Sequence, residues 1–283
     1  MPTRAPDFLF IGPDKSGSTW LHRILALHPD AWVPESKDIY FFDRYWDRGW
    51  EWYLSHFAEA PDAALAVGEL SHDYLFSAEA AARIAGRLPE ARLIASLRDP
   101  VERAFSHWLF LQRNDLCRLP FEEAIDTVPE IVGNGAYARH LAPYLEHFPL
   151  DRLLLLRFEE LGPDPERFAG RVFDHVGLPF APGLPYGEKV LAASRARSRL
   201  AAGLASRGAR LARDMGLGRL VGRVKYGAVG RMLYRPYAAD DRPRMSPAAR
   251  ARLVEIYTPE VEALAARTGF DVGPWRESWR AAS

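Results

Sequence analysis

The sequence predicts an α/β fold, in which a parallel β-sheet is flanked by helices on both faces within a single domain. Three observations carry this. Apolar runs of strand length alternate with stretches whose apolar residues recur at helical spacing. The strand cores are continuous apolar runs, the pattern of strands buried on both faces. Near the N-terminus a strand, a Gly-containing turn and a helix follow one another directly.

Taken in order, Phe8–Ile11 is the first strand, bounded by Asp7 and Gly12. Trp20, Leu21, Ile24 and Leu25 then recur at helical spacing until Pro29. Trp50, Tyr53, Leu54 and Phe57 share one aromatic helical face, read as core or as the wall of an acceptor pocket. The second strand is expected over 64–70, and 78–88 reads as a helix stopped by Pro89. The third strand, 92–97, leads into Arg98-Asp99-Pro100-Val101-Glu102. There Asp99 is an N-cap, Pro100 suits the first helical position and Glu102 completes a capping box. Helical pieces follow at 121–127 and 137–148. The most apolar strand is expected over 151–158. Asp164-Pro165 opens a helix whose inner face is Phe168, Val172, Phe173 and Val176, stopped by Gly177. Ser246-Pro247 opens a last helical region with Leu253, Ile256 and Tyr257, and a continuation after Pro259 ends near Gly269.

Composition bounds the function classes. The 283 residues are 48% apolar and 26% charged, ordinary for a globular chain, and the formal net charge is zero. No global field points to nucleic acid. The zero conceals an asymmetry: residues 195–235 hold eleven Lys/Arg and one acid, Asp214. One cysteine, Cys117, excludes an internal disulfide and a Cys-based zinc site. The eight histidines show no metal-ligand spacing, so no metal is expected. No hydrophobic signal segment or long apolar run is present, from which a cytoplasmic location is expected. The Arg- and Ala-rich composition resembles that of a high-GC bacterial gene.

The N-terminal turn carries the first chemistry. A strand–turn–helix points backbone N–H groups and the positive end of a helix dipole at one spot, which suits phosphate or sulfate. Lys15 adds a cation, and Ser16, Ser18 and Thr19 add hydroxyls. Gly12-x-x-x-x-Gly17-Ser18-Thr19 nearly matches the nucleoside-triphosphatase P-loop. Ser18 stands where that loop has its lysine, however, and an ATPase so altered loses the group that reaches its β/γ-phosphates.

The run Pro13-Asp14-Lys15-Ser16-Gly17-Ser18-Thr19-Trp20-Leu21 resembles instead the 5′-phosphosulfate loop of sulfotransferases that use 3′-phosphoadenosine 5′-phosphosulfate (PAPS). Arg98-Asp99-Pro100-Val101-Glu102-Arg103-Ala104-Phe105-Ser106 resembles the same family's 3′-phosphate element. A guanidinium fork and a helix hydroxyl there bind a dianion in fixed orientation. Three further stretches resemble the bacterial and heparan-sulfate-like branch: Lys37-Asp38-Ile39-Tyr40-Phe41-Phe42-Asp43, Gly68-Glu69-Leu70-Ser71-His72-Asp73-Tyr74, and Lys189 to Ser198. The last resembles a loop that closes over the nucleotide, with Arg197 and Ser198.

The resemblance implies a P-loop-like sheet and sulfuryl transfer from PAPS to a hydroxyl or amine of a small-molecule, glycan or lipid-like acceptor. It implies nucleotide contacts from Lys15, Ser16, Gly17, Ser18, Thr19, Trp20, Arg98, Ser106, Arg197 and Ser198. Lys37, Phe41, Trp50, Ser71 and Tyr74 are expected near the acceptor, with Lys15, Asp38 and His72 catalytic. Two departures stand out. The family's general-base glutamate is here Asp38, and a common proline is His72, so His72 and Glu35 stand in reserve as bases. A third departure is Leu70, where the heparan-sulfate enzymes have a second lysine, so the resemblance does not carry over the polysaccharide-specific machinery. Two other classes remain open: a P-loop-type phosphotransferase and a non-catalytic nucleotide-binding module. The basic segment at 195–235 can be a solvated face, a lid over an anionic ligand, or a helix lying on a membrane surface. Residues 246–283 read as a helical tail.

Overall fold

The computed structural model describes residues 4–35, 37–188 and 243–281, together with Gly208 and two short strands at 194–196 and 234–236. Its elements group into two compact units. The first comprises Met1–Asp99, Tyr137–Val190 and Glu260–Asp271; the second comprises Pro100–Ala136, Leu191–Pro259 and Val272–Ser283.

The first unit holds the sheet. Strands β1 (Phe8–Gly12), β2 (Ala31–Trp32), β3 (Ala66–Leu70), β4 (Arg92–Leu97) and β5 (Leu153–Arg157) lie in the order β2-β3-β1-β4-β5, and every pair is parallel. Phe8 sits opposite Gly68 on one side and Arg92 on the other. A Cβ at position 68 would run into the ring of Phe8, so a glycine is needed for these two strands to pack. Alternation sorts the strand residues. Phe8, Phe10, Ala66, Leu70, Ile94 and Leu156 face helices α1 (Ser18–Leu27) and α8 (Pro165–Val176), which contribute Leu21, Ile24, Phe168, Val172 and Phe173 to the same core. Leu9, Val67, Glu69, Leu93 and Ala95 belong to the opposite face and are equally buried. The same unit contains α2 (Trp50–Leu54), α3 (Ala78–Arg87) and α7 (Tyr137–His147). Because all five strands run the same way, their carboxyl ends share one edge, where open α/β sheets bind ligands. No described helix is long and apolar enough to cross a membrane.

The α8 caps follow the sequence closely. Asp164 accepts the Arg167 N–H at 3.0 Å, and Gly177 takes the left-handed conformation. Other expectations shift. The strand expected from Ala64 begins at Ala66, because the Leu65 and Ala66 amides both donate to Asp30 O. The strand expected over 151–158 shortens to β5, since residues 150–152 form a single 3-10 turn. The last helical region is one helix, continuing past Pro259 as expected: α9 runs from Pro247 to Thr268, with Leu253, Tyr257, Val261 and Leu264 buried along its length. β2 and the short helix α6 (Pro129–Gly133) are too brief to show periodicity.

In the second unit α4 (Pro100–Arg113), α5 (Phe121–Thr127) and α6 surround a fully buried Arg103, whose guanidinium donates to Glu130 O and Ile131 O. Phe105 stacks on Trp108, and Phe121 meets Phe105 edge-on and Trp108 at a tilt. Glu102 pairs with Arg250. The Asp99 N–H, which a capping box would direct to Glu102, is donated to Glu159 Oε1 of the first unit's own chain at 2.8 Å. This unit also contains α10 (Gly273–Ala281) and the antiparallel pair β6 (Ser194–Ala196) and β7 (Tyr234–Pro236).

Candidate active site

The site is built where β1 ends. Gly12 has φ +130°, and a side chain there would meet the His72 carbonyl oxygen, so the turn accepts no other residue. Lys15 is left-handed at φ +63°. Ser16 Oγ donates to Pro13 O at 2.6 Å, which closes the turn from within. Gly17 is the N-cap of α1 and offers no side-chain cap. The first intrahelical bond is Leu21 N–H to Gly17 O, so the amides of Ser18, Thr19 and Trp20 precede it and lie at the positive end of the helix dipole. The Trp20 indole turns inward: it is 6% exposed, packs edge-on against Phe168 and donates to Tyr186 O at 3.1 Å.

Arg98 follows β4 directly. Its Nη1 reaches the Lys15 carbonyl oxygen at 3.4 Å, its guanidinium lies over the Phe158 ring, and its own carbonyl accepts the Tyr137 hydroxyl at 2.8 Å. The turn and the β4 end are thereby held side by side. Ser106 is half-buried on α4, in the second unit.

A second constellation lies past β3. His72 Nδ1 is 2.7 Å from Asp38 Oδ1, and Lys37 Nζ is 2.9 Å from Asp38 Oδ2. Lys37 Nζ also lies 3.4 Å from Ser18 Oγ, which links this cluster to the start of α1. His72 Nε2 is 3.3 Å from Tyr40 OH, and Arg44 pairs with Asp73. Asp38 and Tyr40 both have positive φ, +68° and +55°. Glu35 is exposed, away from the buried part of this segment. Burial pushes the Asp43 carboxyl up to about 6 against the opposing pull of Arg44, and its Oδ1 has no hydrogen-bond partner. Beneath the loop, burial raises Glu69 to about 7, although the hydroxyls of Tyr74, Ser71 and Tyr53 all bond it.

Of the residues expected near an acceptor, Phe41 is buried within a ring cluster, stacked on Tyr53 at 4.6 Å and close to Trp50. Ser71 and Tyr74 are wholly buried, and Lys37 keeps 6% of its side chain exposed. Arg197 and Ser198, and most of the basic segment, lie outside the described residues. The sequence reading missed the Asp38–His72 contact, which joins residues far apart in the chain, and the convergence of Tyr53 on Glu69. The placement of a tyrosine on an otherwise apolar helical face was the available signal for the latter. Among the described residues no group of three or more His, Cys, Asp or Glu side chains is arranged to hold a metal ion.

Comparison with known proteins places this geometry in a family. A family model described as a sulfotransferase domain matches residues 5–197. The chain is 36% identical over 183 residues to mouse heparan sulfate glucosamine 3-O-sulfotransferase 6, covering 62% of this chain and 53% of that protein. It is 34% identical over 182 residues to human heparan sulfate glucosamine 3-O-sulfotransferase 3B1, covering 61% and 46%. It thus spans about half the length of these curated relatives. The crystal structure of a sulfotransferase from Alicyclobacillus acidocaldarius superposes with a TM-score of 0.69 over 96% of this chain and 99% of that one, at 23% identity, and so shares the fold. The uncapped start of α1 beside Lys15, the Arg98 that follows β4 and the domain match agree, and the chain belongs to the sulfotransferase domain family.

Proposed function

We propose that the chain transfers a sulfuryl group from PAPS to an acceptor hydroxyl or amine. The observation that supports this most directly is the open N-terminus of α1 beside Lys15, with Arg98 tied to the same turn. The donor set fits a nucleotide that carries two separate anionic ends. The amides of Ser18, Thr19 and Trp20 with Lys15 suit the 5′-phosphosulfate, and Arg98 suits the 3′-phosphate. Bound PAPS supplies an activated sulfuryl group on a phosphate leaving group. The work of the chain is then positioning and charge stabilisation. Lys15 and the α1 amides hold the negative charge that develops on the leaving 5′-phosphate oxygen as its bond to sulfur breaks. Asp38 and His72, in contact at 2.7 Å, act as one acid–base unit that takes the acceptor's proton as its oxygen or nitrogen bonds to sulfur.

The two named relatives act on heparan sulfate, and a glycan acceptor is the leading class here. Trp46 and Trp50, with Arg83 and Arg87 over their rings, supply aromatic and cationic surface close to Phe41. The domain match takes in parts of both units, and we read them as belonging to one catalytic domain.

The deciding experiment measures melting temperature with adenosine 3′,5′-bisphosphate (PAP) and, separately, with ATP and Mg²⁺. A ligand at 100-fold its Kd stabilises by about 2.7 kcal/mol, a shift of several degrees. A rise with PAP alone, lost in Arg98→Ala, is expected. A rise with ATP alone refutes the sulfotransferase reading and favours a phosphotransferase. Transfer of labelled sulfate from PAPS to heparan sulfate oligosaccharides, or to a simple phenol, then assigns the acceptor class.

A further inference from the structure

The loop that carries Asp38 is an unusual piece of backbone. Two of its non-glycine residues, Asp38 and Tyr40, are left-handed, a conformation that persists only where the surroundings impose it. Three backbone bonds impose it here. The Asp38 N–H donates to Leu70 O at 2.8 Å, the Tyr40 N–H to Ser71 Oγ at 3.1 Å, and the Phe41 N–H to Tyr74 OH at 2.9 Å. Two of the three acceptors are hydroxyls, which can rotate and can donate as readily as accept.

A single side chain fixes their orientation. Ser71 Oγ donates its hydrogen to Glu69 Oε2 at 3.0 Å, and Tyr74 OH donates to Glu69 Oε1 at 2.8 Å. With those hydrogens committed to the ionised carboxylate, the lone pairs of both hydroxyls point at the loop amides. Glu69 is 1% exposed, and Ser71 and Tyr74 are 0% exposed, so water does not compete. The Tyr74 carbonyl is in turn held by Tyr144 OH at 2.7 Å. Tyr53 OH also donates to Glu69 Oε1, at 3.1 Å, but no loop amide is bonded to it.

We propose that Glu69, acting through Ser71 and Tyr74, is the positioning residue that sets the backbone of the Asp38 loop and so aims Asp38 at the acceptor. The proposal rests on the reading of Asp38 as part of the acid–base unit. It gives Ser71 and Tyr74 a supporting part beneath the loop, and it explains why buried hydroxyls are needed at both positions.

The test uses the full chain and three variants: Glu69→Gln, Tyr74→Phe and Tyr53→Phe. Hydrogen exchange of the peptide that spans residues 37–43 is followed at pH 8, where Glu69 is ionised and accepts from both hydroxyls whereas a glutamine amide would donate, with the peptide that spans residues 12–20 as internal reference. Tyr74→Phe and Glu69→Gln are expected to speed exchange at Tyr40 and Phe41 by about tenfold or more and to leave the reference peptide and the PAP-induced rise in melting temperature intact. Tyr53→Phe removes a bond to the same carboxyl oxygen and is expected to leave loop exchange at the wild-type rate. In sulfate transfer from PAPS, a misplaced Asp38 lowers kcat on the order of 10–100-fold, with KM for PAPS unchanged. Unchanged loop exchange in Tyr74→Phe and Glu69→Gln overturns the proposal, as does equal loosening in Tyr53→Phe. A wild-type chain that shows no response to PAP and no transfer overturns the functional reading instead, and the exchange data separate the two failures.

Discussion

The buried Glu69 makes stability depend on pH in a direction opposite to that of most carboxylates. Removal from water raises its carboxyl from 4.5 to about 7, more than the three hydroxyl donors lower it. The folded chain therefore keeps a proton that the unfolded chain releases near 4.5. The associated stability is fully present below that pH and is lost as pH rises through about 7. At about 1.36 kcal/mol per unit, the full change is about 3 kcal/mol between pH 5 and 8. Asp43, raised to about 6, changes in the same direction, so the wild-type curve alone does not isolate Glu69. The Glu69→Gln variant does, because glutamine keeps the shape of the neutral carboxylic acid and does not titrate. Urea unfolding of both chains at pH 5 and pH 8 is the assay. The stability difference between wild type and Glu69→Gln should move by about 3 kcal/mol in favour of the variant on going to pH 8, or roughly 5–10 °C in Tm. A difference constant to within about 0.5 kcal/mol would refute the reasoning, since it means that the carboxyl ionises normally and that burial does not dominate at this site.

Other perturbations test the remaining parts. Lys15→Ala should lower kcat roughly 10²–10³-fold, the usual loss of one group that stabilises developing charge, while the chain melts within a degree or two of wild type; a kcat unchanged in steady-state transfer removes Lys15 from the chemistry. Asp38→Asn should lower kcat by about 10²–10⁴-fold, and full turnover in that variant would show that the base lies elsewhere. His72→Asn, which keeps a donor near Asp38 but cannot accept the proton, should lower kcat by about tenfold or more in steady-state transfer. A kcat equal to wild type would leave His72 a purely structural partner. Gly68→Ala should cost about 2 kcal/mol or more in urea unfolding, because the added Cβ meets the Phe8 ring across the β1–β3 pairing; unaltered stability would mean that the two strands are not in this register.

How much of this was legible in the sequence depended on the range of the signal. The parallel sheet was legible because β1, β3, β4 and β5 are apolar runs bounded by local turn residues, and α8 because Asp164 and Gly177 mark both ends with the residue types that helix termini require. Pro259 left open whether the last helical region is one helix, because a proline signals helix termination locally. Here the buried residues on both sides of it, Tyr257 and Val261, keep α9 continuous at the expense of one backbone bond. The capping box at Asp99 misled: Glu102 has the right spacing, but Glu159 occupies the amide and Glu102 has Arg250 as its partner. Local rules hold until a residue distant in sequence offers a better contact.

The same contrast governs the site, and it bears on two of the departures from the family pattern. Lys15 and Arg98 were legible because each belongs to a contiguous motif whose spacing fixes its place at a strand end. Asp38 in place of glutamate and His72 in place of proline were, in the sequence, two separate candidates for the base. In the structure they are one arrangement, since His72 Nδ1 meets Asp38 Oδ1 at 2.7 Å. Aspartate is one methylene shorter than glutamate, so its carboxylate stays closer to the loop backbone, held by Lys37 and by the left-handed turn at its own Cα. A proline at position 72 could not contact it, whereas an imidazole extends from it through Nε2, on the side where Tyr40 OH lies at 3.3 Å. The shorter acid and the added ring therefore compensate for each other. If the Asp38–His72 pair is the acid–base unit proposed above, Asp38→Glu alone will not restore a family-like base unless position 72 is changed with it. A double-mutant cycle over Asp38→Glu and His72→Pro, read in kcat, should show coupling of about 1 kcal/mol or more; strict additivity would mean that the two departures are unrelated.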